Sequence, residues 1–407
     1  MRPCAPTGLQ LGFRAIRMMV GGALLLALPQ TASFAQDSAI STGPKADPKA
    51  VTKADPKADY EQKLREYEQA HGMFEEEQAR PYWQSITDKR RSRIAKRRNG
   101  QDVVLDDYVT TQPPAYAGPS RPVNPFPEPG PTPSAAIPVV ADFLRCAMEQ
   151  FQFAPALPRS EQEYKRSYAG VAAAVGITRD QAVRVYAFES GGDGKYDVQA
   201  GLEYDRPGAH AVSTALGYNQ LLNTNSVELL AEHGDDFVAK LGRKAPPAGD
   251  AAYAAFAGKL AILQRMIAFA RTVPDDWAEH EKLANTPGGL AIHALNLDVD
   301  IGPYLQTQKL LDSIEFARRK NRTAPLTAAE LEMMNLTGDG SGFDMINIAL
   351  ADRDRVPTSN FFQRKGYERN PIVIRFNTVA RLLAATDAKM DEEAKLAGAM
   401  ELAAVFP

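Results

Sequence analysis

From residue 137 onward, apolar residues recur at intervals of three and four almost throughout, which is the spacing that lines one face of an α-helix. The strict alternation of a half-buried strand is scarce. The pattern predicts helices over 139–151, 160–175, 179–189, 227–241, 251–271, 301–320, 328–335 and 378–405, and therefore a mainly α fold. The 179–189 helix has the best-marked ends. Thr178 and Gln181 have the spacing of a capping box, and Gly191-Gly192 suits a C-terminal stop. Counting back from Glu189 by three, four and seven reaches Tyr186, Val185 and Ala182, so this carboxyl projects from the apolar stripe of its own helix. Between 196 and 211, Gly, Asp and aromatic residues follow no period, as in a loop or a short hairpin.

Upstream of residue 137 the pattern changes. Arg14 and Arg17 precede an apolar run over 18–28, and Ser33-Phe34-Ala35 supplies small residues for cleavage, so residues 1–35 are expected to be a secretory signal and the mature chain periplasmic or secreted. The run is short for a bilayer span, and no later segment approaches the roughly twenty apolar residues that a membrane helix needs. No integral membrane segment is expected in the mature chain. Residues 36–59 carry Lys-Ala-Asp-Pro-Lys-Ala twice, at 45–50 and 53–58, a bias that cannot support a core and reads as a disordered tether. A charged, helix-permissive segment over 60–100 follows, then a Pro-rich linker over 101–136 that reads as a semi-rigid spacer. The remaining 137–407 is long enough for one substantial core.

Charge and cysteine narrow the picture further. Cleavage after Ala35 removes Arg2, Arg14 and Arg17 and no acid, taking the formal charge from −3 to −6. The basic run over 89–98 then stands in an exported, mildly acidic protein. Its expected partner is an anionic cell-envelope polymer or lipid head group rather than nucleic acid, the alternative being a merely solvated helix. Cys4 leaves with the signal, so Cys146 remains alone, without an intrachain disulfide, as a core thiol. The five histidines form no metal-ligand pair in sequence, which argues against a zinc hydrolase. No metal or cofactor is expected.

The chemistry centres on Glu189. Desolvation on the stripe and the negative end of the helix dipole both disfavour its ionised form, which is how a glutamic acid is kept protonated as a general acid. The alternative is a frayed helix end whose carboxylate reaches water. After Phe188-Glu189-Ser190-Gly191-Gly192 comes a second segment, Thr214-Ala215-Leu216-Gly217-Tyr218-Asn219-Gln220. Glu-Ser at a helix end followed by a small-residue segment closing in Gly-x-x-Gln resembles the lytic transglycosylase branch of the lysozyme-like superfamily.

The resemblance implies a lysozyme-like domain over 137–407 that acts on peptidoglycan glycan strands. It implies that Glu189 is the catalytic acid and base, that Gly217 and Gln220 line the sugar groove, and that Ser190 bonds Glu189 or the sugar, with helix capping as its alternative. The family usually has Leu-Met where this chain has Tyr218-Asn219, which places those two in the N-acetyl contact; Tyr218 stacks on a sugar or fills the core. The family's third element, Tyr-Asn-Ala-Gly, has its nearest counterpart in Met334-Asn335-Leu336-Thr337-Gly338-Asp339-Gly340, with Asn335 in the groove or capping its own helix. The stretch from Asn223 to Gly289 reads as an insertion. In the family's scheme one glutamate cleaves the MurNAc-GlcNAc bond and leaves a 1,6-anhydro end, without the second carboxylate of a two-carboxylate hydrolase. Asp193, Asp197, Glu203 and Asp205, between the first two motifs, are expected as solvated loop acids. If one of them positions a water, the alternative is a lysozyme-type hydrolase. A non-catalytic glycan-binding protein on the same fold is the remaining reading.

Overall fold

The computed structural model describes residues 55–126, 136–202, 208–247 and 249–407. The signal expected at 1–35, most of the tether at 36–59, part of the Pro-rich linker, and both Glu203 and Asp205 lie outside the described residues. Within them the chain is mainly α, with isolated bridges but no strand. In chain order the helices are α1 (Pro56–Phe74), α2 (Arg80–Arg98), α3 (Val140–Phe151), α4 (Glu161–Ala174), α5 (Arg179–Ser190), α6 (Asn223–Gly242), α7 (Ala251–Ala270) and α8 (Trp277–Ala284). They continue with α9 (Pro287–His293), α10 (Gly302–Arg319), α11 (Ala328–Thr337), α12 (Asp339–Ile346), α13 (Arg364–Glu368), α14 (Pro371–Arg375), α15 (Val379–Glu393) and α16 (Ala397–Ala404).

Local chemistry accounts for the helix ends that matter most. Thr178 accepts from Gln181 N, and the Gln181 side chain returns to Thr178 N, so the capping box at the head of α5 is complete. Gly191, at φ 68°, ends the helix in the left-handed region that glycine occupies without strain. The helix expected over 378–405 is instead two, α15 and α16. Its break has a tertiary cause: Ala399 N donates to Gly192 O at 2.8 Å, and Gly398 N to Asp193 Oδ1 at 2.8 Å. The turn that stops α5 therefore also splits the C-terminal helix.

Two apolar cores lie side by side. One gathers α5, α11, α12, α15, α16 and most of α4 around Tyr186, Met334 and Leu382. The other gathers α3, α6, α7 and α9 around Phe143, Leu229 and Ile292. Helix α10 serves both, with Tyr304 and Leu305 in the second and Leu310 and Ile314 in the first. The segment from Leu216 to Leu221 crosses the same seam, since Leu216 and Leu221 belong to one core and Tyr218 to the other. Cys146 is buried at 2% exposure in the second core, and burial raises its thiol pKa, in keeping with a core role.

The charged segment and the start of the linker do not stand apart from the helical body. Helix α1 runs into α2 through a π-helical turn, Glu75–Ala79, whose Glu75 carboxylate accepts from Arg364 Nη1 at 2.7 Å. On α2, Arg93 is fully buried: it donates to Asp107 O and Asn360 O, each at 2.9 Å, and to Asp344 Oδ2 at 3.3 Å, and lies 4.6 Å over the Tyr108 ring. Arg90 donates to Phe362 O at 2.7 Å. The strap after α2 is clamped by Asn360, which bonds both Val109 N and Val109 O through its side chain. Two arginines of the basic run are thus spent inside the protein. A partner that reads the run as a continuous cationic face is not supported, because Arg90 and Arg93 face carbonyls rather than solvent.

Candidate active site

Helix α5 carries Glu189 as the sequence predicts, with Ala182, Val185 and Tyr186 of the same stripe each at 0% exposure. Glu189 as a residue is half-buried, and its carboxyl group is desolvated by the surrounding protein. Opposite it stands α11. Asn335 Nδ2 donates to Glu189 Oε1 at 2.8 Å, across 146 positions of sequence. Asn335 lies within α11 rather than in a loop after a helix, and its amide is directed at the acid rather than at the end of its own helix. Met334 beside it is fully buried in the core.

One turn before Asn335, Glu332 fills the space behind Glu189. It is 2% exposed, and its Oε2 has no hydrogen-bond partner. Burial, then the charge of Glu332 and a hydrogen bond to it, push the Glu189 pKa well above the ordinary carboxyl range, against a smaller opposing pull from Asn335. Glu332 is itself raised to about 7, chiefly by burial. Two carboxyls this close and this dry resist ionising together, so the pair favours keeping a shared proton. Nothing in the local sequence marks Glu332. Its one signal is that it sits three positions before Asn335 on a helix, hence on the same face.

The second motif reaches this corner through its tyrosine. The Tyr218 ring packs 4.6 Å from that of Tyr186, one turn before Glu189, with Tyr164 and Tyr168 on its other sides. Tyr218 is 0% exposed and its hydroxyl bonds Glu161 Oε1, so it offers no face to a sugar and is a core residue. Asn219 is likewise structural at 3% exposure, with Nδ2 donating to Gln306 O at 2.6 Å and its backbone N to Gln306 Oε1 at 2.8 Å. Ser190 is 5% exposed and donates to Tyr186 O at 2.6 Å, which satisfies it on its own helix and leaves no described bond to Glu189. Gln220, with φ 44°, remains half-buried, and its amide donates to Gly217 O at 2.8 Å and Val198 O at 3.2 Å. It shapes the turn and makes no described bond to Glu189 or Asn335.

Gly217 is needed by this turn. Its φ is +79°, and a Cβ there would come within 2.6 Å of the Gln306 amide nitrogen. Gln306 cannot yield, because it is fully buried and also bonds Leu216 O and Asn296 Oδ1. Gly217→Ala is expected to lower stability by about 2 kcal/mol, from left-handed backbone strain plus displacement of Gln306. A denaturation midpoint indistinguishable from the parent would contradict this geometry. The preceding residues are pinned from the other side. His293, fully buried and with its pKa lowered to about 4 by desolvation, bonds Thr214 O and Ser226 Oγ, each at 2.8 Å, as a neutral imidazole.

Of the loop acids expected to be solvated, Asp193 is exposed and caps Gly398 N, while Asp197 is half-buried. A cavity of about 340 Å³ opens beyond Asn335, where Thr337, Gly338 and Asp339 line it together with Arg97 of α2, Trp277 and Phe316; Glu189 is not part of its wall. Glu232, His233 and Asp312 also line it, with potential ligand atoms within 4.8 Å of one another. Burial alone would lower the His233 pKa, but hydrogen bonds and charge from Asp312 and Glu232 raise it to about 9. That imidazole is therefore a cation clamped between two carboxylates, and metal binding would first have to deprotonate it. No protein-family model matches this chain, and neither does any curated protein or solved structure.

Proposed function

We propose that this chain is an exported peptidoglycan-cleaving enzyme, a lytic transglycosylase on a lysozyme-like domain, with Glu189 as its acid and base. One observation carries the reading. Glu189 and Asn335, picked out separately as the first and third motif residues, meet at 2.8 Å, and burial together with Glu332 raises the pKa of that glutamic acid. In this scheme Glu189 gives its proton to the oxygen leaving the MurNAc-GlcNAc bond, while the neighbouring N-acetyl group supports the sugar carbon. The resulting Glu189 carboxylate, steadied by the Asn335 amide, then takes the proton from the sugar's six-hydroxyl as that oxygen closes on the same carbon. The products are a 1,6-anhydro end and a free four-hydroxyl, and no water is consumed.

A hydrolase of the two-carboxylate kind needs its second carboxylate about 5–10 Å from the acid, on the far side of the sugar. Glu332 is against Glu189 and sealed from solvent, and Asp193 is engaged at Gly398 N. Neither suits that role; of the other loop acids, Asp197 is half-buried and Glu203 and Asp205 lie outside the described residues. The half-buried, protonated Glu189 favours an enzyme over a purely glycan-binding protein, because a docking surface has no use for an acid kept dry. The test is the release of soluble fragments from purified peptidoglycan by the mature chain. Steady release at neutral pH is expected. Binding to the insoluble polymer without release would replace the enzyme with a glycan-binding protein.

A further inference from the structure

Glu332 has a structural position but no role in the scheme above. It is a carboxyl at 2% exposure, one turn from Asn335 on α11, with one oxygen left without a hydrogen-bond partner. Burying a carboxyl in this way is costly unless a cation or several donors compensate it. Among the described residues, the groups that act on it are Glu189 and the Asn335 amide. Charged groups on the packed elements act elsewhere. These are Lys309 of α10, which acts on Asp312, Asp339 of α12, which accepts from Ser313, and Asp344 of α12, Arg184 of α5 and Lys389 of α15. Asp344 is engaged by Arg93 and Arg97, Arg184 by Asp387, and Lys389 by Glu393. Among the described residues, each carboxyl is thus the other's dominant ionisable neighbour.

We infer that Glu332 is a positioning residue for Glu189, a buried carboxylate whose negative charge keeps the shared proton on the more exposed partner. The arrangement divides the labour by access. Glu189 is the more exposed of the two residues and can pass its proton outward, whereas Glu332 is sealed and exchanges through Glu189. Asn335 opposes the order, since its amide donates to Glu189 Oε1 and favours the ionised form there, and burial and Glu332 outweigh it. After proton transfer to a leaving group, two adjacent carboxylates would remain, and their repulsion drives Glu189 to recover a proton. Glu332 therefore favours the second half of a cycle in which one glutamate must act first as acid and then as base. This role rests on the proposed function only for its use in turnover; the shared proton rests on the geometry alone.

The sign of the effect is fixed. Removing the negative charge of Glu332 makes Glu189 easier to ionise, so its titration should move to lower pH. Glu332→Gln in the mature chain should shift the titration of the Glu189 carboxyl carbon, followed by ¹³C NMR with Glu189→Gln used for assignment, downward by about one pH unit or more. The alkaline limb of the pH–rate profile should move by the same amount. Glu332→Asp, which keeps the charge, should restore both in part. A merely structural Glu332 would lower the folded fraction without moving either midpoint.

Unmoved titration in folded Glu332→Gln overturns the inference. If that variant fails to fold, the parent protein still decides: two coupled steps for Glu189 and Glu332 are expected, and a single step in the ordinary carboxyl range overturns it. A shifted titration in a protein that releases no glycan would leave the pair standing and remove only the proposed function.

Discussion

Glu189→Gln is expected to lower the rate of peptidoglycan cleavage by about 10²–10⁴-fold while leaving the fold intact, because general acid catalysis contributes that much and the amide has no acidic proton to give. The substitution is gentle on structure. The glutamine oxygen can still accept from Asn335 Nδ2, and α5 keeps its capping box and glycine stop. The neutral amide also excludes any state with two adjacent carboxylates at Glu189 and Glu332, so the melting temperature is expected to hold or rise. The measurement is the initial rate of fragment release beside a thermal melt. A variant that melts like the parent and retains more than a tenth of its rate would remove Glu189 from the chemistry.

Arg93→Ala is expected to be among the most destabilising single changes outside the apolar cores, by about 3–5 kcal/mol, since it strips one partner from a buried carboxylate and one donor from each of two buried carbonyls. Asp344, at 4% exposure, would keep only Arg97, and the carbonyls of Asp107 and Asn360 would each lose a bond. The control lies two residues away. Arg91 pairs with Asp88 on the open face of α2, with side chains 71% and 57% exposed, and its replacement by alanine is expected to change stability by no more than about 0.5 kcal/mol. Equal, small effects of the two substitutions in chemical denaturation would mean that α2 is not an integral part of the folded unit.

Arg93 also illustrates what a sequence reading cannot reach. The basic run over 89–98 looks like a solvated face because every residue that neutralises it, Asp344 and the carbonyls near Asn360 and Asp107, comes from another segment. Nothing local distinguishes Arg93 from Arg91. Helix α12 was hidden for a related reason. Gly338-Asp339-Gly340-Ser341-Gly342 has the composition of a turn, yet it becomes helical where Gly342 lies so close to the α11 backbone that a Cβ would come within 2.4 Å of Met334 Cα. Contact between helices overrides propensity there.

What was legible was whatever is encoded within one helix: the limits of α5, the stripe that dries Glu189, and the glycines that end it. The second and third motifs were legible as positions rather than as roles. Gly217 and Gln220 build a turn, Tyr218 and Asn219 belong to the interior, and Asn335 touches the acid directly. An aromatic residue beside a glycine motif reads equally well as a groove wall or a core ring. The three tyrosines around Tyr218 that decide the matter come from α4 and α5.

The central claim is that one protonated glutamate cleaves the glycan without water, and digestion of purified peptidoglycan in H₂¹⁸O tests it most directly. The account predicts fragments that end in 1,6-anhydro sugars, lighter by one water than reducing-end fragments, with no ¹⁸O incorporated and with their release abolished in Glu189→Gln. Reducing ends carrying ¹⁸O would contradict it, because a water would then have attacked where the account places the sugar's own six-hydroxyl.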